Sequence, residues 1–197
     1  MKVKIRYIKI KDILSLSRMY LSLSEDTRRF FHPFPFKIRR VLPMFIYFSL
    51  SNKISRLLKK IAPKLVVLSI VVIDEKNTPV GFAYLCKLCK LPNSQLWGAK
   101  NFGIIIQEEY QGLGVGTKLM EKIIDIGVAN DIRKINLTVL TDNEAAIRLY
   151  QKFGFEIEKR YENRETWNGK FYSDYDMVLN LTLSNYLKNR KFNKYWH

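Results

Sequence analysis

The chain has 197 residues, 47% of them apolar and 13% aromatic, which suffices for one domain with a real core and argues against disorder. Nine glycines and six prolines exclude a collagen-like or linker-dominated chain, and two cysteines exclude a disulfide framework. A net charge of +16 points to an anionic partner without saying which.

That charge is regional. Residues 27–73 carry ten Lys/Arg and no acid, and 184–197 add Lys188, Arg190, Lys191 and Lys194, whereas 74–183 holds 14 basic and 15 acidic residues. The N-terminus alternates charged and apolar residues, a strand pattern rather than a secretion signal. The longest apolar runs, Val41–Leu50 and Leu65–Ile73, fall well short of the ~20 residues that span a bilayer. The expectation is a cytoplasmic protein without a transmembrane segment.

Taken in chain order, Val3, Ile5 and Tyr7 alternate with Lys4 and Arg6 as a half-buried strand. Asp12 is placed to cap a first helix bearing Ile13, Leu14, Leu16 and Met19. Pro33 and Pro35 break the following stretch, and 37–60 resumes helical spacing, interrupted at Pro43, with Ile54, Leu57, Leu58 and Ile61 on one face. Residues 64–73 read as a strand covered on both faces, 74–79 as a turn, and 80–91 as its hairpin partner. Cys86 and Cys89 lie three apart in that strand, so they face opposite ways and cannot chelate one ion; no metal is expected.

Residues 102–106 form another apolar strand, followed by a helix carrying Leu119, Met120, Ile123, Ile124 and Val128. A strand at 135–140 leads to a helix capped by Asn143 or Asp142, with Ala146, Leu149, Tyr150 and Phe153 inward and Gly154 past its end. Residues 155–166 and 171–181 read as two strands joined through Asn168-Gly169, a type I′ turn signal. This order implies an α/β (α+β) domain over 1–183, with helices on both faces of a mixed sheet and a basic tail at 184–197.

The chemically informative run is strand, Gln111-Gly112-Leu113-Gly114-Val115-Gly116-Thr117, helix. Glycines at alternate positions let a ligand approach the backbone. Outward N–H groups at a helix start make an anion nest suited to phosphate or pyrophosphate. The P-loop order Gly-Lys-Ser/Thr is not met, because Thr117 precedes Lys118, and the final spacing differs from a dinucleotide fingerprint.

Together with a second motif, this loop resembles the GNAT superfamily of acetyl-CoA-dependent N-acetyltransferases. Gln111, Gly114 and Gly116 match the family's Gln/Arg-x-x-Gly-x-Gly/Ala, and Val139, Asn143, Ala146, Leu149, Tyr150, Gly154 and Phe155 match Val-x-x-x-Asn-x-x-Ala-x-x-Leu-Tyr-x-x-x-Gly-Phe. The resemblance implies a mostly antiparallel sheet of about seven strands with a splayed centre, acetyl-CoA as cosubstrate, and acetyl transfer to a primary amine. It further implies that the amides of Gln111, Gly112, Leu113, Gly114, Val115, Gly116 and Thr117 hold the pyrophosphate. Backbone groups of Ile104, Ile105 and Ile106 would pair with the pantetheine arm, with the Ile106 N–H polarising the thioester carbonyl. Asn143 would touch the cofactor, and Tyr150 would protonate the leaving thiolate. A phenol with pKa about 10 suits that task, since the thiol's lies near about 8.5.

Two departures stand out. Glu108 replaces a frequent proline, and the strand before the loop carries no acid where many members have a general base. Substitutes are Glu25, Asp26, His32 and Asp174. The resemblance implies a small-molecule or protein amine as acceptor, with Tyr161, Trp167, Phe171 and Tyr172 forming a second candidate wall or a hydrophobic tip for a homodimer. Phe30, Phe31, Phe34 and Phe36 among arginines admit stacking on nucleic acid, or packing on the sheet as an acceptor-pocket wall. The basic helix at 37–60 also suits an anionic membrane surface. The rival reading is a nucleic-acid-associated or CoA-sensing protein that keeps the fold without catalysis.

Overall fold

Seven strands and five helices are seen in a computed structural model that describes residues 2–31, 38–58, 67–86 and 102–181. The chain groups into two compact units, Met1–Ile123 and Ile124–His197. The readings that concern His32–Phe36, Ile61, Cys89 and the 184–197 tail lie outside the described residues.

The first unit is built on a four-stranded antiparallel sheet in the order β1-β2-β3-β4, comprising β1 (Lys4–Tyr7), β2 (Val67–Ile73), β3 (Pro79–Cys86) and β4 (Phe102–Ile106). β2 is buried at every residue after Val67 and β3 throughout, as their unbroken apolar runs require. Helices α1 (Ile13–Leu21), α2 (Glu25–Phe30) and α3 (Ile38–Leu58) follow β1. One face of the sheet packs on α1 and α3 through an aromatic cluster: Phe45 and Phe48 meet Phe82 edge-on or tilted, with centroids at 5.2 and 5.1 Å.

Two local expectations are corrected. Asp12 does not cap α1 with its side chain; its carboxylate takes a bidentate pair from the Arg6 guanidinium at 2.6 and 2.8 Å and the Lys9 N–H at 2.8 Å. Burial pushes that carboxyl up, but Arg6 and Lys9 outweigh it and hold it below the usual range.

The helix at 38–58 continues unbroken across Pro43. Near a helix start a proline forfeits one hydrogen bond, and here its ring is exposed. The inward face of α3 is Val41, Met44, Phe45, Phe48, Asn52 and Ser55, while Ile54 points outward. β1 pairs with Ile70–Ile73 and Ile8 donates its N–H to the Ser69 carbonyl at 3.2 Å, while Asn52 and Ser55 of α3 face the start of β2. Asn52 exchanges two hydrogen bonds with the Ser69 backbone at 2.7 and 2.8 Å, and Ser55 Oγ both donates to and accepts from the Val67 backbone.

The second unit holds a three-stranded antiparallel sheet, order β5-β7-β6, with β5 (Lys134–Leu140), β6 (Glu156–Trp167) and β7 (Lys170–Asn180). Helix α4 (Val115–Ala129) leads into it, and α5 (Glu144–Lys152) lies between β5 and β6. Asn168 and Gly169 both have positive φ, 49° and 76°, as the turn signal requires. Gly154 ends α5 at φ 83°. Every ladder among the described residues is antiparallel, and the seven strands form two sheets, of four and of three.

Candidate functional site

β4 is an edge strand of its sheet. The Gln107 N–H donates to the Val80 carbonyl at 2.9 Å, which sets the phase of the β3–β4 ladder. In an antiparallel pair alternate residues turn their N–H and C=O to the partner. Gly103 and Ile105 therefore face β3, and Phe102, Ile104 and Ile106 turn theirs to the open edge. Of the three isoleucines expected to use backbone groups, Ile104 and Ile106 present them. Ile105 does not, because its backbone completes the ladder and its side chain is core. Opposite β4, the Tyr84 ring lies across Gly103, where an added Cβ would meet it at 2.4 Å.

Between β4 and α4 the chain makes one short 3-10 turn, Glu108–Tyr110, and then the glycine loop. Gly112 and Gly114 take left-handed φ of 71° and 76°, and a Cβ added at either would meet nothing within 4 Å. Gly116 instead lies in the first turn of α4. Val115 is buried and anchors the helix start, while Leu113 stands exposed at the loop tip. The N–H groups of Gly112, Leu113 and Gly114 have no backbone acceptor among the described residues, and those of Val115, Gly116 and Thr117 open the helix, where none exists within it. Six consecutive donors thus remain to serve an anion, with the helix dipole behind them.

Gln111 differs from the six residues that follow it. Its N–H donates to the Glu108 carbonyl at 3.0 Å, and its side-chain Nε2 donates to the Ile106 carbonyl at 2.8 Å. It fastens the loop to the end of β4 rather than offering its own amide.

A second fastening was not readable in the sequence. Glu108 Oε1 accepts the Ser24 N–H at 2.7 Å, and Ser24 is the N-cap of α2, its Oγ accepting from the Thr27 N–H. The carboxylate thereby ties the residue that opens the loop to the α1–α2 corner. Partial burial pushes Glu108 up, but bonds from Ser24 and Thr27 prevail and leave it below its ordinary value.

In the second unit, Asn143 is the N-cap of α5, its Oδ1 accepting from the Ala146 N–H at 3.2 Å, so its amide N–H2 is the part left for a ligand. Tyr150 lies two turns further along α5, buried, with its ring 5.6 Å from that of Phe155. Burial pushes its phenol well above the ordinary value, keeping it protonated.

Of the acids considered as bases, Glu25 and Asp26 open α2 and are exposed. Asp174 is corrected. It is fully buried and paired in two places with Arg164, whose Nε reaches Oδ2 at 3.0 Å and whose Nη2 contacts Oδ1. Burial pushes that carboxyl up against the pull of Arg164. The carboxylate's two oxygens are thus engaged by Arg164 rather than left open to an incoming amine.

The Arg164 guanidinium stacks 3.6 Å over the Tyr161 ring, while Phe171 stands 66% exposed at the hairpin tip. Among the described residues no group of three or more His, Cys, Asp or Glu is gathered.

The acetyltransferase (GNAT) family model matches residues 26–155, which contain both the loop and α5. The L-amino acid N-acetyltransferase AaaT of Escherichia coli K12 is 37% identical over 80 residues, covering 40% of this chain and 49% of that protein. The spermidine N(1)-acetyltransferase of the same organism is 37% identical over 71 residues, 36% of this chain and 38% of that protein. The matches thus span half or less of these relatives' lengths. The crystal structure of spermidine N-acetyltransferase from Vibrio cholerae, in complex with CoA and spermine, superposes with a TM-score of 0.66 at 20% identity, over 94% of this chain and 98% of that one, a likeness of fold. With the family model matching most of its length, and the glycine loop and the capped helix of the second motif both inside the match, the chain belongs to the acetyltransferase (GNAT) family.

Proposed function

We propose that the protein is an N-acetyltransferase that carries the acetyl group of acetyl-CoA to a primary amine by direct attack, with residues 1–183 as its functional domain and a cytoplasmic location. The observation that carries this reading is the run of six donor N–H groups from Gly112 to Thr117, set beside a β4 edge whose Ile104 and Ile106 groups are turned outward. The open space over Gly112 and Gly114 fits a pyrophosphate brought against the backbone.

Bound acetyl-CoA supplies the thioester. The loop amides hold its phosphates, Ile104 pairs with the pantetheine amides, and the Ile106 N–H donates to the thioester oxygen as negative charge grows there. Gln111 and Glu108 keep loop and strand end in register, the latter by its hold on Ser24. The Asn143 amide donates to the cofactor. Tyr150, held protonated by burial, gives its phenolic proton to the departing sulfur and recovers one from water, to which the attacking amine has lost its own. The named relatives act on amino acids and spermidine, and an amine acceptor is the shared chemistry.

Calorimetry with acetyl-CoA on the full chain, followed by a screen of amine acceptors for CoA release, tests the reading. Binding and acceptor-dependent release are expected, with Tyr150→Phe slowing turnover by about 10²–10⁴ while affinity holds. Absence of acetyl-CoA binding, alongside tight salt-sensitive binding of DNA or RNA, would replace it with the nucleic-acid reading.

A further inference from the structure

Helix α3 has two apolar faces. The inner one is core; the outer carries Ile46, Leu50 and Ile54 at i, i+4 and i+8, with Tyr47 beside them, each between 40% and 47% exposed. A helix that is apolar all round is normally buried all round, so this face asks for a cover. Arg39 and Arg40 stand exposed at one end of the stripe and Lys53 toward the other, and the helix contains no acid.

We propose that the outer face of α3 seats the protein on an anionic lipid surface, with Ile46, Leu50 and Ile54 entering the headgroup boundary and Arg39, Arg40 and Lys53 reaching lipid phosphates. Charge selects this occupant. A second copy of the chain would bring Arg39 and Arg40 against either Lys53 or themselves, like charge on like in both pairing directions. An anionic surface satisfies both ends at once, and the acid-free run continues beyond the helix, across residues 27–73.

Shape selects a membrane over an acidic protein. The stripe runs along a single convex helix for about 12 Å, and a lipid surface conforms to it without a matching groove. Long cationic side chains can lay their stems beside the apolar stripe and lift their charges to the phosphates. No helix among the described residues is long and apolar enough to cross a membrane, so the contact lies along the surface. The inference does not depend on the proposed acetyl transfer, because these residues are apart in the chain from the glycine loop and β4.

The test is co-sedimentation of the full chain with vesicles of phosphatidylcholine alone and of phosphatidylcholine mixed with phosphatidylglycerol. Binding only to the anionic vesicles, weakened by salt, is expected. The double change Leu50→Ser/Ile54→Ser should lower partition at least about tenfold, and Arg39→Gln/Arg40→Gln/Lys53→Gln about a hundredfold. Arg39, Arg40 and Lys53 are exposed, so their change should leave the melting temperature unmoved; Leu50 and Ile54 are half-buried, so theirs should lower it modestly, and unchanged acetyl-CoA calorimetry is the control on folding for both variants. No binding to anionic vesicles, or binding that Leu50→Ser/Ile54→Ser leaves intact, overturns the proposal, since basic charge alone would then explain any adhesion. Binding of polyglutamate that depends on Leu50 and Ile54, with vesicle binding indifferent to them, also overturns it and assigns the face to an acidic protein.

Discussion

The glycine loop and the β6–β7 cluster are both polar, and they answer opposite demands. In the loop, backbone donors from Gly112 to Thr117 are left over once the local structure is complete. In the cluster everything is consumed: Arg164 spans Asp174 and Asp176, Asp176 Oδ1 also accepts from the Thr138 hydroxyl at 3.0 Å, and Ser173 Oγ joins Glu162 to the Asn163 N–H. A β-bulge between Tyr161 and Glu165, with Asn163 at φ 51°, brings Arg164 to this position. A ligand site shows itself by what stays unsatisfied, whereas a charged cluster that closes on itself is architecture.

The comparison can be broken by exchanging the expected effects. Arg164→Met leaves the buried Asp174 unpaired; because Arg164 is itself one-third exposed, a stability loss of about 2–3 kcal/mol is expected, at the low end for breaking such a pair. Denaturant unfolding measures it, and acetyl-CoA affinity should hold. A variant that lost affinity while keeping its stability would make the cluster a binding element.

Gly114→Leu should do the reverse. The left-handed backbone costs about 1–2 kcal/mol in stability, and the side chain intrudes on the phosphate path, so calorimetry should show affinity down at least about tenfold. Gln111→Met removes one neutral hydrogen bond to Ile106 and should cost about 1 kcal/mol, read as weaker cofactor binding through a looser loop.

The smallest effect concerns acid. Asp12 and Glu108 both sit below their ordinary values in the folded chain, so their contributions are fully present above the unfolded carboxylate range and fade as pH falls through the folded values. Hydrogen exchange should show the amides of Lys9 and Ser24 losing protection below about pH 4, with Glu108→Gln removing the dependence at Ser24 alone.

Much of this was legible along the chain. β4 begins and ends at Phe102 and Ile106 as read, because five apolar residues between polar ones leave little choice. The turn at Asn168-Gly169 and the helix end at Gly154 follow from residues that accept positive φ. The unread parts depend on partners distant in sequence. Glu108 meets Ser24 across 84 residues, and no local pattern announces it. Asp12 turned from cap to ion pair because Arg6 comes within reach once β1 has formed. Asp174 looked free because the bulge that delivers Arg164 shifts the strand register, which alternation alone cannot show. Ile54 turns outward rather than inward because two buried residues of the inner face of α3, Asn52 and Ser55, are polar and break the apolar spacing; the side chains of Leu57 and Leu58 lie outside the described residues.

Those two side chains have a mechanical consequence. By gripping the backbone of Ser69 and Val67, they index the helix to the sheet like teeth in a rack. Sliding α3 by one residue, a travel of about 1.5 Å with a turn of about 100°, would strip four hydrogen bonds at once. The azimuth of its outward side is therefore locked, so whatever this helix shows to its surroundings is shown at one fixed angle.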